Sequence, residues 1–198
     1  MPRIVCDVSI SADGFSAGLN QTQERPFGAG DTSMLHAWMF ETPEENRAEL
    51  DQIAAPRAFV MGRNMFGPVR GAWNDEWKGW WGPDPPYHAP VFVLTHHARE
   101  PEPMEGGTTF HFVTEGIEAA LRMARAAAGE GDVAIAGGAT TVNQYLAAGL
   151  IDELRLHIAP FTLGSGTRIF DGVPPLRLQQ VSARAAALVT HVVYRLLR

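Results

Sequence analysis

Cys6 is the only cysteine in this 198-residue chain, which excludes an internal disulfide and a zinc site built from cysteines. No run of lysine and arginine supplies the basic stripe that a nucleic-acid backbone requires, and the net charge is −6, so nucleic acid is excluded as the main partner. No apolar stretch approaches the length of a bilayer span, and the start of the chain lacks the charged, apolar and cleavage segments of a secretory signal. A cytoplasmic address with no membrane partner is expected. The Gly-x-Gly-x-x-Gly fingerprint is missing, so an ordinary Rossmann domain is not supported. Ser165 lacks the Gly-x-Ser-x-Gly context of a nucleophile elbow. His96 and His97 are adjacent and would point to opposite faces of a strand with no third ligand apparent, so no metal is expected.

The most informative stretch that is present is Val133-Ala-Ile-Ala-Gly-Gly-Ala-Thr-Thr-Val142. A short apolar run, read as a buried strand, stops at two glycines and restarts as a helix. Without a Cβ at Gly137 and Gly138 a ligand can approach the main chain, and the N–H groups of the first helical turn point at it. Thr140 or Thr141 is the expected cap, Val142, Tyr145 and Leu146 share a face, and Gly149 is the stop.

Elsewhere, Ile4, Cys6, Val8 and Ile10 alternate as in a strand. A helix is expected from about Thr32 to Phe40. Thr42-Pro-Glu-Glu45 has the form of a capping box, which predicts a second helix running from there to about Ala55. Ala58–Met61 and Val91–Leu94 read as short buried strands, Phe110 and Phe112 as a further one, and Ile117 to Ala124 as a helix. Residues 67–90, with Trp73, Trp77, Trp80 and Trp81, form a connection long enough to imply function or assembly. Leu154, Leu156 and Ile158 alternate with Arg155 and His157, which predicts a half-exposed strand. Segments around Leu178–Val181 and Leu188–Leu196 predict a C-terminal hairpin. Helices between buried strands imply parallel units, so the expectation is one α/β domain over 1–198 with a mixed central sheet and an antiparallel C-terminal hairpin.

Three predicted strands end in residues able to meet a ligand: Gly62-Arg63-Asn64, Thr95-His96, and Gly137-Gly138. Ligands of open α/β sheets bind outside the carboxyl ends of the strands. If these ends are neighbours, the helix after Gly138 takes a pyrophosphate and the planar fork of Arg63 a further phosphate, which describes a phosphorylated dinucleotide.

Phe59-Val-Met-Gly-Arg63, Val91-Phe-Val-Leu-Thr95, Ile135-Ala-Gly-Gly138, the run Gly149-Leu-Ile-Asp-Glu-Leu-Arg-Leu-His-Ile-Ala-Pro160 and the opening Ser9-Ile-Ser-Ala-Asp-Gly14 resemble the dihydrofolate reductase fold family. Within it they resemble the reductase domain of bacterial riboflavin biosynthesis more than the folate enzymes. The resemblance covers nearly the whole chain and implies a three-layer reductase using NADPH. It implies Arg63, with its neighbours Gly62 and Asn64, near the 2′-phosphate. It also implies Thr95 and His96 on the adenosine side, and Gly137, Gly138, Ala139, Thr140 and Thr141 around the pyrophosphate. Folate reductases carry an acidic residue on the first helix, and Met34-Leu-His-Ala-Trp-Met-Phe-Glu41 has none at the comparable place. The chain also lacks the His-x-Glu and Cys-x-x-Cys of the zinc deaminase that bifunctional riboflavin enzymes carry.

The expected reaction is hydride transfer from NADPH to a small heterocycle or ribosylamino-pyrimidine, resembling 5-amino-6-(5-phosphoribosylamino)uracil reduction. A dihydrofolate or pterin reductase and a non-catalytic nucleotide-binding module are the alternatives. Asp13 is a candidate for orienting cofactor or substrate, or for stabilising its own turn. His36 is a candidate for proton donation near neutral pH or for a buried structural role. Trp38, Trp73 and Trp77 are candidate substrate contacts, with Trp80 and Trp81 assigned to packing or assembly. The resemblance and the aromatics imply a homodimer.

Overall fold

The computed structural model describes residues 2–67, 71–74 and 76–197, so Pro68, Val69, Arg70 and Asp75 of the tryptophan-rich connection lie outside the described residues. The chain runs β1 (Ile4–Ser11), β2 (Phe15–Ala17), α1 (Ala37–Phe40), α2 (Arg47–Ala54), β3 (Ala58–Gly62), α3 (Arg63–Phe66), β4 (Pro90–Leu94) and β5 (Glu102–Pro103). It continues β6 (Thr109–Val113), α4 (Ile117–Ala128), β7 (Val133–Gly137), α5 (Ala139–Ala147), β8 (Glu153–Ala159), β9 (Thr167–Arg168), β10 (Arg177–Ala186) and β11 (Val189–Leu197). Among the described residues, nine strands form one sheet in the order β10-β11-β8-β1-β7-β3-β4-β6-β5. The six strands from β8 to β6 are parallel, while β5, β11 and β10 each run antiparallel to the neighbour they join. This is the expected mixed sheet with its C-terminal hairpin.

Because side chains alternate across a strand, the sheet has two distinct faces. On one, Ile4, Cys6, Val8, Val60, Ile135 and Leu154 pack with Ala120, Leu121 and Ala124 of α4 and Val142 and Leu146 of α5. The hydroxyl of Tyr145, on α5, donates to the carbonyl of Ile117 at 2.7 Å and ties the two helices. Cys6 is buried here, and burial pushes its thiol well above the ordinary range, which leaves it inert. On the opposite face, Phe59, Met61, Val91, Val93 and Phe110 pack with Phe66 of α3, and Trp73, Trp77, Trp81 and Tyr87 of the long connection cover them.

The rest of that second face is polar yet covered. Asp7, Ser9, Arg155, His157 and His191 lie beneath α1 and α2, with Arg155, His157 and His191 all buried. The alternation of β8 therefore does not mark a half-exposed strand as its sequence suggested. The polar residues are buried because partners on α1, α2 and β1 satisfy them. The helical boundaries of this region also differ from expectation. A short 3-10 turn at Ser33–Leu35 precedes α1, and α2 begins at Arg47. Thr42 does not cap it: its hydroxyl donates back to the carbonyl of Trp38 at 3.2 Å, and the Asn46 amide donates to the Trp38 and Thr42 carbonyls and to the Thr42 hydroxyl.

Candidate functional site

β3 lies between β7 and β4, and the registers bring their carboxyl ends level. Met61 pairs with Gly137 and Gly62 pairs with Leu94. The three chain reversals singled out in the sequence thus form one continuous rim. α5 starts at Ala139 with Gly138 as its cap residue, in place of the expected Thr140 or Thr141, and no side chain caps it. The N–H groups of Thr141 and Val142 bond to the Gly138 carbonyl. The donors of Gly138, Ala139 and Thr140 precede the first intrahelical bonds and face outward from the helix start. Ala139 is buried at its methyl and Thr140 is exposed, so Ala139 can serve a ligand only through its backbone.

The glycines of the rim divide by geometry. Gly137 has a φ of +116°, a conformation that a side chain opposes, and it faces Met65. The Gly137–Gly138 peptide is cis. A Cβ on Gly138 would meet no atom within 4 Å, so the space in front of the helix start is open. A Cβ on Gly62 would collide with Oγ1 of buried Thr141. Gly62 is small so that α5 can lie close to β3.

Arg63 opens α3 at the rim. Its guanidinium carbon lies 3.9 Å from the centre of the Trp73 ring, and Nη2 reaches the Ala72 carbonyl at 3.5 Å. The amide of Asn64 donates to Gln21 Oε1 at 2.8 Å, linking the rim to the glycine-containing loop after β2. The hydroxyl of Thr95 accepts from His97 N–H at 3.1 Å and closes its own turn, while His96 is exposed. Trp73 Nε1 donates to the His97 carbonyl at 2.7 Å, so the reversals after β3 and β4 are joined. An open depression of about 710 Å³ borders them, lined by Trp73, Lys78, His96, His97, Arg99 and Glu102 among others. Trp77 donates to the Phe66 carbonyl at 2.8 Å and packs edge-on to Trp80. It belongs to the wall under the long connection and does not line this depression.

Asp13 was the candidate for orienting a ligand or holding its own turn, and His36 the candidate proton donor. Asp13 accepts from the Ser11 hydroxyl at 2.5 Å and from the N–H groups of Leu163 and Gly164 at 3.0 and 2.8 Å. These bonds, the Ser11 hydroxyl first, hold its carboxyl down at about 2, so it is an ionised tether between the end of β1 and the Leu163–Gly166 loop. His36 packs against Phe27 with ring centres 4.7 Å apart. Burial, and then the charge of His157, pushes it down to about 4, so its imidazole is neutral at pH 7 and has no imidazolium proton to give.

Trp38 does not line a surface at all. It is fully buried, donates to Ser9 Oγ at 3.2 Å, and covers the rings of His157 and His191 at 4.7 and 5.0 Å. Its expected role as a substrate contact is withdrawn, because its position two residues after His36 turns it towards the sheet.

The family model for the RibD C-terminal domain matches residues 2–192. The chain belongs to the RibD C-terminal domain family. A protein from Shewanella sp. PV-4 assigned to riboflavin biosynthesis has a similar structure, with a TM-score of 0.64 at 21% identity over 99% of both chains. Acinetobacter baumannii RibD aligns over all of this chain and 59% of its own, with a TM-score of 0.61 at 16% identity. A pyrimidine reductase-like protein from Corynebacterium diphtheriae aligns over all of this chain and 92% of its own, with a TM-score of 0.59 at 16% identity. Among curated proteins no match was found. At these identities the structural likenesses establish the fold.

The RibD C-terminal family is one of reductases that generally draw on NADPH, and the rim of this member fits such a group. The open space at Gly138, the outward donors of α5 and the guanidinium beside the β3 end are the features a pyrophosphate and an additional phosphate need. Sequence reading missed Gln21, which reaches Asn64 across 43 positions, Ser11, and the histidines of β8 and β11. For the histidines the only signal was their alternation with apolar residues, which reads equally well as an exposed edge.

Proposed function

We propose that this RibD C-terminal domain is an NADPH-dependent reductase acting on a small electron-poor heterocycle of the ribosylamino-pyrimidine class, with 5-amino-6-(5-phosphoribosylamino)uracil as the type substrate. The observation that supports it is the level adjacency of the β7, β3 and β4 ends, with Gly138 open and Arg63 beside it. In this reading the N–H groups of Gly138, Ala139 and Thr140 hold the pyrophosphate, and Thr141 packs behind them. Arg63 and Asn64 border the 2′-phosphate, and Thr95, His96 and Trp73 border the adenosine. Bound NADPH would supply the hydride. The chain's own residues bind, orient and exclude water, which is the larger part of what a protein adds to cofactor chemistry. His36, held neutral, offers a hydrogen bond to a heterocycle. The described structure of Met34–Glu41 provides no buried carboxylate for a pterin, since Glu41 is exposed, and this favours the pyrimidine over dihydrofolate.

One observation favours a second reading. Neither Asp13 nor His36 is an acid suited to neutral solution, as expected of a nucleotide-binding module that has kept the fold without turnover. Titration with NADPH and NADH, followed by NADPH oxidation with the ribosylamino-pyrimidine and with dihydrofolate, separates the readings. Tight NADPH binding with pyrimidine-dependent oxidation is expected, binding without oxidation of either substrate selects the module, and failure to bind either nucleotide removes both. Arg63→Ala is expected to weaken NADPH about tenfold or more, the range of one charge-assisted contact, with NADH little changed. A cytoplasmic homodimer belongs to the same proposal, and light scattering at micromolar concentration tests the dimer.

A further inference from the structure

The polar half of the sheet holds a chain of side chains outside the rim. His157 of β8 and His191 of β11 stand opposite each other in register, 3% and 4% exposed, and their Nδ1 atoms lie 2.7 Å apart. At the other end of each ring, His157 Nε2 lies 3.3 Å from Asp7 Oδ1 and His191 Nε2 lies 2.9 Å from Asn46 Oδ1. The Asn46 amide cannot be turned round. Its nitrogen donates to Trp38 O, Thr42 O and the Thr42 hydroxyl, and its oxygen accepts from Arg184 Nη2 at 2.9 Å.

Counting protons along this chain gives its charge. Asp7 and Asn46 present acceptor oxygens, so both Nε2 atoms must carry hydrogen, and the contact between the Nδ1 atoms needs one hydrogen between them. Two neutral imidazoles hold one hydrogen each, so the three contacts require one proton more. The neighbouring charges lead to the same answer. Arg3 and Arg155 face three carboxylates, those of Asp7, Asp132 and Glu153, and Arg184 is matched by Glu49. Among the described residues Asp7 thus shares Arg155, 3.4 Å away, with Glu153, and a cation at the histidine pair offsets the remaining negative charge.

We propose that His157 and His191 share a single proton between their Nδ1 atoms at neutral pH, forming a buried cation that faces Asp7 alongside Arg155 and clamps α1 and α2 onto the sheet. Every element packed on the pair takes part: β1 through Asp7, β8 through Arg155 and Glu153, α2 through Glu49 and its cap residue Asn46, and β10 through Arg184. α1 contributes through Trp38, whose ring covers both imidazoles, and His36 stands just before that helix. Burial, and then the charge on His157, pushes His191 down to about 4, so a second proton, which would break the Nδ1–Nδ1 bond, enters only in acid. The clamp fixes the segment that carries His36 and is independent of whether the rim binds a nucleotide.

Imidazole nitrogen NMR of the full chain tests this. The expected spectrum shows one exchange-protected proton coupled to Nδ1 of both His157 and His191, with protonated Nε2 on both rings, persisting between about pH 6 and 8. In Asp7→Asn the pair should lose that proton at a pH lower by about one unit or more, as removal of an adjacent opposite charge requires. If that variant does not fold, the wild-type spectrum alone decides. Two neutral rings without a shared proton, or two imidazoles titrating separately, would overturn the proposal.

Discussion

Gly62 and Thr141 meet at the seam between β3 and α5, where Thr141 Oγ1 fills the space a side chain on Gly62 would need. The contact joins two of the three reversals that form the rim, and it involves a buried threonine that cannot swing into solvent. Gly62→Ala is expected to destabilise the chain by about 1–3 kcal/mol, the usual cost of overpacking. Adding Thr141→Ala, which removes the colliding atom, should restore at least half of it. Urea denaturation of the two single variants and the double variant measures the coupling, and simple additivity would show that the contact is not what limits position 62.

Gly137 and Gly138 are expected to respond in opposite ways. Gly137→Ala places a side chain at a φ of +116° and should cost about 1–3 kcal/mol of stability. Gly138 has extended backbone and open space in front of it, so Gly138→Ala should stay within about 0.5 kcal/mol of the parent. Under the proposed function it should nevertheless weaken NADPH binding at least tenfold, because the methyl occupies the ligand's approach to the α5 donors. Calorimetric titration together with thermal denaturation reads both effects, and undiminished binding by Gly138→Ala would remove the α5 start from the site.

Asp13 connects the end of β1 to the Leu163–Gly166 loop. Its carboxyl is depressed, so the tether contributes above the ordinary carboxylate range, near 3.8, and fades as pH falls towards about 2; it is fully in place at neutral pH. Asp13→Asn keeps the shape but replaces one acceptor oxygen with a donor facing N–H groups. Faster proteolytic cleavage within residues 161–166 is expected at pH 7, and an unchanged cleavage pattern would show that the loop is held by other means.

His36 and His191 are both pushed down to about 4 from an ordinary value of 6.5, chiefly by burial. The unfolded chain therefore binds more protons than the folded one between those limits. Their contribution to stability is complete above about pH 6.5 and is lost progressively as pH falls towards 4. His36→Phe removes one of the two titrations. It forfeits no hydrogen bond at Nδ1, which has no partner among the described residues. Denaturation midpoints between pH 7 and 4 should fall less steeply in this variant than in the parent, and parallel curves would mean that His36 is not a source of the slope.

The rim was legible in the sequence because each of its parts is local. An apolar run ending in Gly62-Arg63-Asn64, Thr95-His96 or Gly137-Gly138 announces a buried strand and the place where it turns, and the groups proposed to meet a ligand at the last of these are mostly backbone N–H, independent of side-chain identity. Cap positions were less legible. Thr42 and Thr141 have the right chemistry for helix starts, but a hydroxyl bonds to whichever group lies nearest. For Thr42 that group is the carbonyl of Trp38, while Thr141 lies against Gly62.

Trp38, Arg155 and His157 were misplaced, and His191 was missed, for a common reason. Periodicity tells which residues share a face of an element but not what covers that face, and a polar stripe is read as facing water by default. Only the pairing of β1, β8 and β11 beneath α1 and α2 puts a carboxylate, an amide and two imidazoles within hydrogen-bonding distance of one another, across up to 150 positions of chain. The amino-acid sequence determined the strand ends, the α/β class and the main-chain donors, because these follow from hydrophobic runs and glycine over a few neighbouring residues. Tertiary structure decided which charges are buried, which tryptophan is core and where the acids point, because those depend on contacts between segments whose separation in the chain carries no local signal.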